Sequence, residues 1–207
     1  MKNNCRKLQP IRHTSDDRML VDALRNGHVD AAATLYDRYA VHVRKVIVRI
    51  MGMDQDLPDL INEVFYQAFK AINTIEDGSR LQAWITRVAI HVVRGCIRKR
   101  QRRNWLLFSP EREPQTAGIE AGASDESLEM VRWVRDVLGR MPADEQIVFT
   151  LRYFEEMKII ELAEACGISR SSAKRRLIKS ERRFKKIAEK YPALNKRLDL
   201  SAKWRRR

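Results

Sequence analysis

The chain has 207 residues, 44% of them hydrophobic, with 41 Lys and Arg against 27 Asp and Glu and a formal net charge of +14. That length makes one large domain or two small ones, with enough apolar content for a core, and the cationic surplus points to a polyanionic partner, nucleic acid or an anionic membrane. No apolar run approaches the roughly 20 residues of a bilayer span, and Met1 to Pro10 lack the apolar stretch of a signal peptide, so a cytoplasmic protein without membrane insertion is expected.

Residues 1–15 read as a disordered basic N-terminus. From Asp16 to residue 103 apolar residues recur at helical rather than strand spacing. Leu35, Tyr39, Val43, Val46 and Ile50 form one stripe. Leu60, Ile61, Val64, Phe65, Ala68, Phe69 and Ile72 form a second, and Leu81, Trp84, Ile85, Val88, Ala89, Val92, Val93, Cys96 and Ile97 a third. Each helix should bury one such face, with breaks at Gly27, Gly52 and Glu76 to Ser79. Residues 104–127 carry Pro110, Pro114, Gly118 and Gly122 without a period and read as a flexible linker. Helices resume over 128–191. Leu128, Val131, Val134 and Leu138 mark the first, Pro142 opens the next with Ile147, Leu151 and Phe154 inward, and Pro192 stops the last. Residues 192–207 form a basic tail. The expected fold is all-α: two small helical domains, the second a helix-turn-helix.

Cys5, Cys96 and Cys166 are odd in number and far apart, which suits neither a disulfide framework nor a zinc site. Cys96 and Cys166 lie on apolar stripes and read as small buried hydrophobes. His91 and Cys96 are five apart, on different helix faces. No metal, cofactor or small-molecule substrate is expected. No zincin, P-loop or zinc-deaminase motif appears, so an enzyme is not expected either.

Three features carry function. Between Ile159 and Ser180, Ala163 supplies the small residue a crossing helix needs, Gly167 a left-handed turn, Ile168 a plug beneath it and Ser169 a cap for the next helix. On that helix Ala173 and Leu177 should face the core. Arg170, Ser171, Lys174, Arg175 and Ile178 should project outward, with Ser172, Arg176 and Lys179 in the same basic segment, as on a recognition helix in a major groove. Second, Arg87, His91, Arg94 and Arg98 are spaced by four, three and four, a single helix face suited to phosphates. It continues into Lys99, Arg100, Arg102 and Arg103. Third, Asp59, Asn62, Glu63 and Tyr66 line the side of their helix away from Leu60, Val64 and Phe65, a face suited to a basic protein partner rather than DNA.

Together these residues resemble bacterial RNA polymerase sigma factors of the extracytoplasmic-function group. Asp59-Leu60-Ile61-Asn62-Glu63-Val64-Phe65 is similar to that family's D-L-x-Q-E-x-F, and Leu81 to Ala89 to its F-x-x-W-L-x-x-I-A. Met141-Pro142 and the helix-turn-helix from Glu161 to Leu177 look like its fourth conserved region. The likeness covers roughly residues 18–103 and 128–190. Asn62 stands for the usual Gln, His91 for Asn, Gly95 for a frequent Asp and Ala173 for Val, with Ile159 and Ile160 at usually more polar positions.

The resemblance implies an initiation factor with region 2 over 16–103 and region 4 over 128–191. The face of Asp59, Asn62, Glu63 and Tyr66 would dock on the clamp helices of the largest subunit of core polymerase. The loop Ile75 to Arg80, with Arg80, Arg87, His91, Arg94 and Arg98, would hold the −10 element of promoter DNA with one base flipped out of the stack. Trp84, in the apolar stripe, is expected to be core rather than a stacking platform. The helix after Ser169 would read the −35 element. An anti-sigma factor is a further candidate partner. The alternative is a stand-alone helix-turn-helix regulator, which would bind DNA specifically without polymerase.

Overall fold

A computed structural model describes residues 14–106, 125–192 and 194. The expectations for residues 1–13, 107–124, 193 and 195–207 lie outside the described residues. Secondary structure among the described residues is helical, without strands. The elements are α1 (Thr14–Arg25), α2 (Val29–Met51), α3 (Leu57–Ala71), α4 (Leu81–Leu106), α5 (Asp125–Gly139), α6 (Ala143–Tyr153), α7 (Ile159–Cys166) and α8 (Arg170–Ala188). Short 3-10 turns at Ile72–Thr74 and Gly78–Arg80 separate α3 from α4. Helix α1 thus starts inside the expected N-terminal segment, and α5 inside the expected linker.

The stripes do what their spacing requires. Leu35, Tyr39, Val43, Val46, Ile47 and Ile50 bury the inner face of α2, and Leu57, Leu60, Val64, Phe65 and Ala68 that of α3. Both pack on α4. Helix α4 buries residues around more of its circumference, Ile90 and Ile97 as well as Leu81, Ile85, Ala89 and Val93, because it has two sets of neighbours. Helices α2 and α3 cover one side, and α6 and α7 approach it from the second unit.

The two units are therefore in contact. Ile147, Val148 and Leu151 of α6, Leu162, Ala163 and Cys166 of α7, and Ala173 of α8 share one buried cluster with the core of α1 to α4. Each large side chain so buried contributes roughly 1.5–3 kcal/mol. Polar contacts border it. Gln146 Nε2 donates to the Ile50 carbonyl at 3.4 Å, Gln101 Nε2 donates to that of Met141 at 2.7 Å, and Arg49 pairs with Glu155 at 2.5 Å. Gly52, at φ +83°, lies under the Arg135 guanidinium, which a Cβ would meet at 2.9 Å. A second cluster, Val137, Leu138, Met141, Phe149, Phe184 and Ala188, holds α5, α6 and α8 together. In it Phe149 and Phe184 stack with ring centroids 4.4 Å apart.

Three expected core residues lie at the surface. Phe154 is 44% exposed because Phe149 takes the stacking position on Phe184, and Phe154 is the C-cap where the chain turns away from α6. Val131 is 36% exposed, since Val137 and Leu138, a later part of the α5 stripe, carry the contact. Phe69 is 37% exposed, the outermost ring of a row in which Phe65 lies 4.7 Å from Tyr36 and 6.4 Å from Phe69.

Candidate DNA-binding surfaces and docking face

The helix-turn-helix is built by local chemistry. At the start of α7 the Glu161 carboxylate accepts from the Lys158 backbone N–H at 2.8 Å. Gly167 closes α7 at φ 65°, ψ 38°, a left-handed conformation that favours glycine. The Ile168 N–H then bonds back to the Ala163 carbonyl at 2.9 Å. Ser169 caps α8, its Oγ accepting from the Ser172 N–H at 3.2 Å. Ala173 is fully buried and Leu177 half-buried against the core, while Arg170, Ser171, Lys174, Arg175 and Ile178 face outward. Three further basic residues of α8 pair with carboxylates of α6. Arg176 reaches Asp144 at 3.2 Å, and Glu145 takes Lys179 at 3.3 Å and Arg183 at 2.5 Å. Ser172, half-buried, spends its N–H on the cap and bonds through its hydroxyl to Ser169. Of the expected recognition residues, the structure thus presents Arg170, Ser171, Lys174 and Arg175 to solvent, ties Ser172 and Arg176 inward, and leaves Lys179 mostly exposed beside Glu145. The signal for this lay in Asp144 and Glu145, a carboxylate pair in the first turn of α6.

The loop before α4 is held in shape. Asp77 accepts from the Ser79 N–H at 2.9 Å and from its hydroxyl at 2.7 Å, and these bonds hold its carboxyl below the usual carboxylate range. Arg25 donates to the Ile75 carbonyl. Gly78 has no room for a side chain, because the Arg18 Cα stands 2.9 Å from where a Cβ would sit. Trp84 is 9% exposed, its Nε1 donating to Thr74 Oγ1 at 3.4 Å, so it belongs to the core as expected.

The cationic face of α4 is present but occupied. Arg87, His91 and Arg98 are exposed and Arg94 is half-buried. Arg94 Nε lies 2.9 Å and Arg98 Nη2 2.6 Å from the two oxygens of Asp144, and Arg80 pairs with Glu164. The Arg87 stem lies against the turn at Gly167, its Cδ 3.4 Å from where a Cβ there would be. Arg100 departs from the expected phosphate face: its side chain is 14% exposed and bound to Asp54 and Asp56, fixing the α2–α3 loop to α4.

On α3, Asp59, Asn62, Glu63 and Tyr66 are all exposed along one stripe. Gln67 Nε2 donates to Glu63 Oε1 at 2.7 Å, and the Lys70 ammonium stands 4.3 Å over the Tyr66 ring. Tyr36 and Phe69, which the sequence reading did not assign to this face, are exposed nearby and add an apolar component. Their signal was an apolar stripe too long for the core beneath it. Among the described residues no group of His, Cys, Asp and Glu is arranged to hold a metal ion. No described helix is long and apolar enough to cross a membrane.

Family models match in the same places: "Sigma-70 region 2" over residues 35–103 and "Sigma-70, region 4" over residues 132–183. The chain is 26% identical over 156 residues to the ECF RNA polymerase sigma-E factor of Haemophilus influenzae, covering 72% of this chain and 82% of that protein. It is 22% identical over 180 residues to the ECF RNA polymerase sigma factor SigW of Bacillus subtilis, covering 80% and 93%. Its fold is similar to that of the sigma factor RpoE of Bartonella quintana, solved in complex with the anti-sigma factor NepR. That likeness has a TM-score of 0.54 at 16% identity, over 76% of this chain and 96% of that one. The paired regions, not a helix-turn-helix alone, are what a stand-alone regulator would lack. The chain belongs to the sigma-70 family, in the extracytoplasmic-function group of RNA polymerase sigma factors, and is a promoter-specific transcription initiation factor.

Proposed function

We propose that initiation is divided among the three surfaces. Arg170, Ser171, Lys174 and Arg175 of α8 read the −35 element from the major groove. Lys179, mostly exposed, adds a contact to that duplex, while Ser172 and Arg176, which the sequence placed in the same reading row, set the pose of the helix. The Ile75–Arg80 loop and Arg80, Arg87, His91, Arg94 and Arg98 hold the −10 strand, one base of which leaves the stack. Asp59, Asn62, Glu63 and Tyr66 dock on the clamp helices of the largest polymerase subunit in the bacterial cytoplasm, and no catalytic step falls to this chain. The observation that carries the reading is the outer row of α8, four polar or cationic side chains facing solvent on a helix fixed by the Gly167 turn and the Ser169 cap. The solved complex of RpoE with NepR makes an anti-sigma factor a proposed partner here too.

Distances make core polymerase part of the reading. Eighteen residues separate Leu106 at the end of α4 from Asp125 at the start of α5, and a flexible chain of that length would average about 21–25 Å end to end. The two promoter elements lie more than one DNA turn, about 34–36 Å, apart. The isolated chain should therefore bind promoters poorly until polymerase holds its units apart. The test is footprinting with and without core. Protection at two upstream elements only with core supports the proposal, whereas promoter-specific protection by the chain alone contradicts it.

A further inference from the structure

Helix α1 lies against the loop that leads into α4 and holds it at two points. The Arg25 guanidinium donates to the Ile75 carbonyl, a charge-assisted bond and so one of the stronger kind. Farther along, the Arg18 Cα stands 2.9 Å from where a Cβ on Gly78 would sit, so backbone meets backbone there. The Arg18–Asp77 pair, 3.6 Å apart with both side chains well exposed, adds little to this hold. Helix α1 is itself fixed to the core. Leu20 and Val21 are buried, and the buried Asp17 carboxylate accepts from Tyr39 Oη at 2.7 Å and from Arg38 at 2.8 Å. Around the two anchors the exposed polar groups divide. Asp77 is taken up by Ser79 and Thr74 by the Ala71 carbonyl. Asn73 and Glu76 are exposed, and among the described residues no hydrogen bond or ion pair uses their side chains.

A base drawn out of the stack is read through hydrogen bonds to its edge, and those need donor and acceptor within about 2.7–3.2 Å. A loop offers that precision only where its neighbours hold it to about half an ångström. We propose that α1 sets the base preference at the −10 element, with Arg25 as a positioning residue that acts through the loop and touches no DNA. This rests on the −10 reading of that loop given above. The side chains so placed are those of Asn73 and Glu76. The first is an amide that both donates and accepts, the second a carboxylate that accepts from an exocyclic amine.

The test uses holoenzymes assembled from sigma-free core polymerase and the full-length chain. Their templates carry one promoter found by run-off on host DNA, with each −10 and −35 position varied to all four bases. Yields across the four bases give a preference at each position, separate from total output, and far-UV circular dichroism confirms folding. A wrong base at a read position costs about 5–150-fold. With Arg25→Ala the preference should fall below about threefold at one −10 position or more. The −35 preferences should stay as in the native chain, and Arg25→Lys should restore most of the loss. Gly78→Ala, which pushes the loop off α1 from the other side, should relax the same position and keeps the test available if Arg25→Ala folds poorly. Fewer transcripts with native preferences throughout would make Arg25 a structural residue and overturn the proposal, as would equal relaxation at −35. An Asn73→Ala/Glu76→Ala chain separates the two readings. Altered −10 preference in that chain, with native preference in Arg25→Ala, overturns the role of α1 and leaves the −10 reading standing. Native preference in both overturns the −10 reading of the loop, and the proposal with it.

Discussion

The basic run of α8 contains cations with different work, and substituting neighbours separates them. Arg175 is exposed, and no ion pair involves it among the described residues. Arg176 reaches Asp144 at 3.2 Å, with side-chain exposures of 35% and 27%. A good base-edge contact is worth about 1–3 kcal/mol. Arg175→Ala should therefore weaken binding of the holoenzyme to a −35 duplex by roughly 5–150-fold, with melting unchanged within about 1 °C. If the contact is to phosphate instead, the loss is uniform across sequences and the salt slope falls by about one. Arg176→Ala loses a partly solvated pair, about 0.5–1 kcal/mol after allowance for exposure. In a chain of this size that lowers Tm by about 1–4 °C, and −35 affinity should fall less than about threefold. Anisotropy titrations at several salt concentrations, with thermal melts of both variants, provide the comparison. The division of α8 into a reading row and a holding row is refuted if Arg176→Ala abolishes −35 binding with Tm intact while Arg175→Ala does nothing.

Other consequences follow from single contacts. Trp84→Ala should cost about 3–5 kcal/mol of stability, whereas Trp84→Phe should keep single-strand binding within about twofold; loss of strand binding by a stably folded Trp84→Phe chain would make the ring a stacking platform after all. Gly167→Val forces a β-branched residue to φ 65°, at a cost of about 1–3 kcal/mol, and should lower the denaturant midpoint, with Gly167→Asn recovering most of it. His42 is buried against Thr86 at 2.7 Å, and burial first, then Arg49 and Lys45, lowers its pKa from 6.5 to about 4. Because the unfolded chain then binds the extra proton, stability from neutral His42 is fully present above pH 6.5 and is lost as pH falls towards 4. At pH 5 the loss is about 2 kcal/mol, so denaturant titrations of His42→Gln should show a smaller drop between pH 7 and pH 5 than those of the native chain.

Local chemistry was legible in the sequence because it depends on neighbours in the chain. The Gly167 turn, the Ser169 cap, the burial of Ala173 and the face of Asp59, Asn62, Glu63 and Tyr66 all follow from spacing and residue type. The readings that changed depend on partners far along the chain. Arg100 looks like one more cation of a phosphate face until Asp54 and Asp56 come beside it. Arg94 and Arg98 keep their face, but Asp144, over forty residues away, takes their charge. Phe154 satisfies the helical period of α6, yet Phe149 wins the stack on Phe184 and leaves it outside. Periodicity tells which side of a helix is apolar, not which of two aromatic residues meets a third.

The central claim is that this chain directs core polymerase to promoters through two elements. It is tested most directly by run-off transcription on fragmented host DNA with sigma-free core polymerase, followed by sequencing of the transcripts. The account predicts discrete starts that share −10 and −35 elements and disappear with Glu63→Lys, a variant whose exposed substitution should shift stability by no more than about 0.5 kcal/mol. Absence of initiation, together with specific DNA binding by the chain alone, would contradict it.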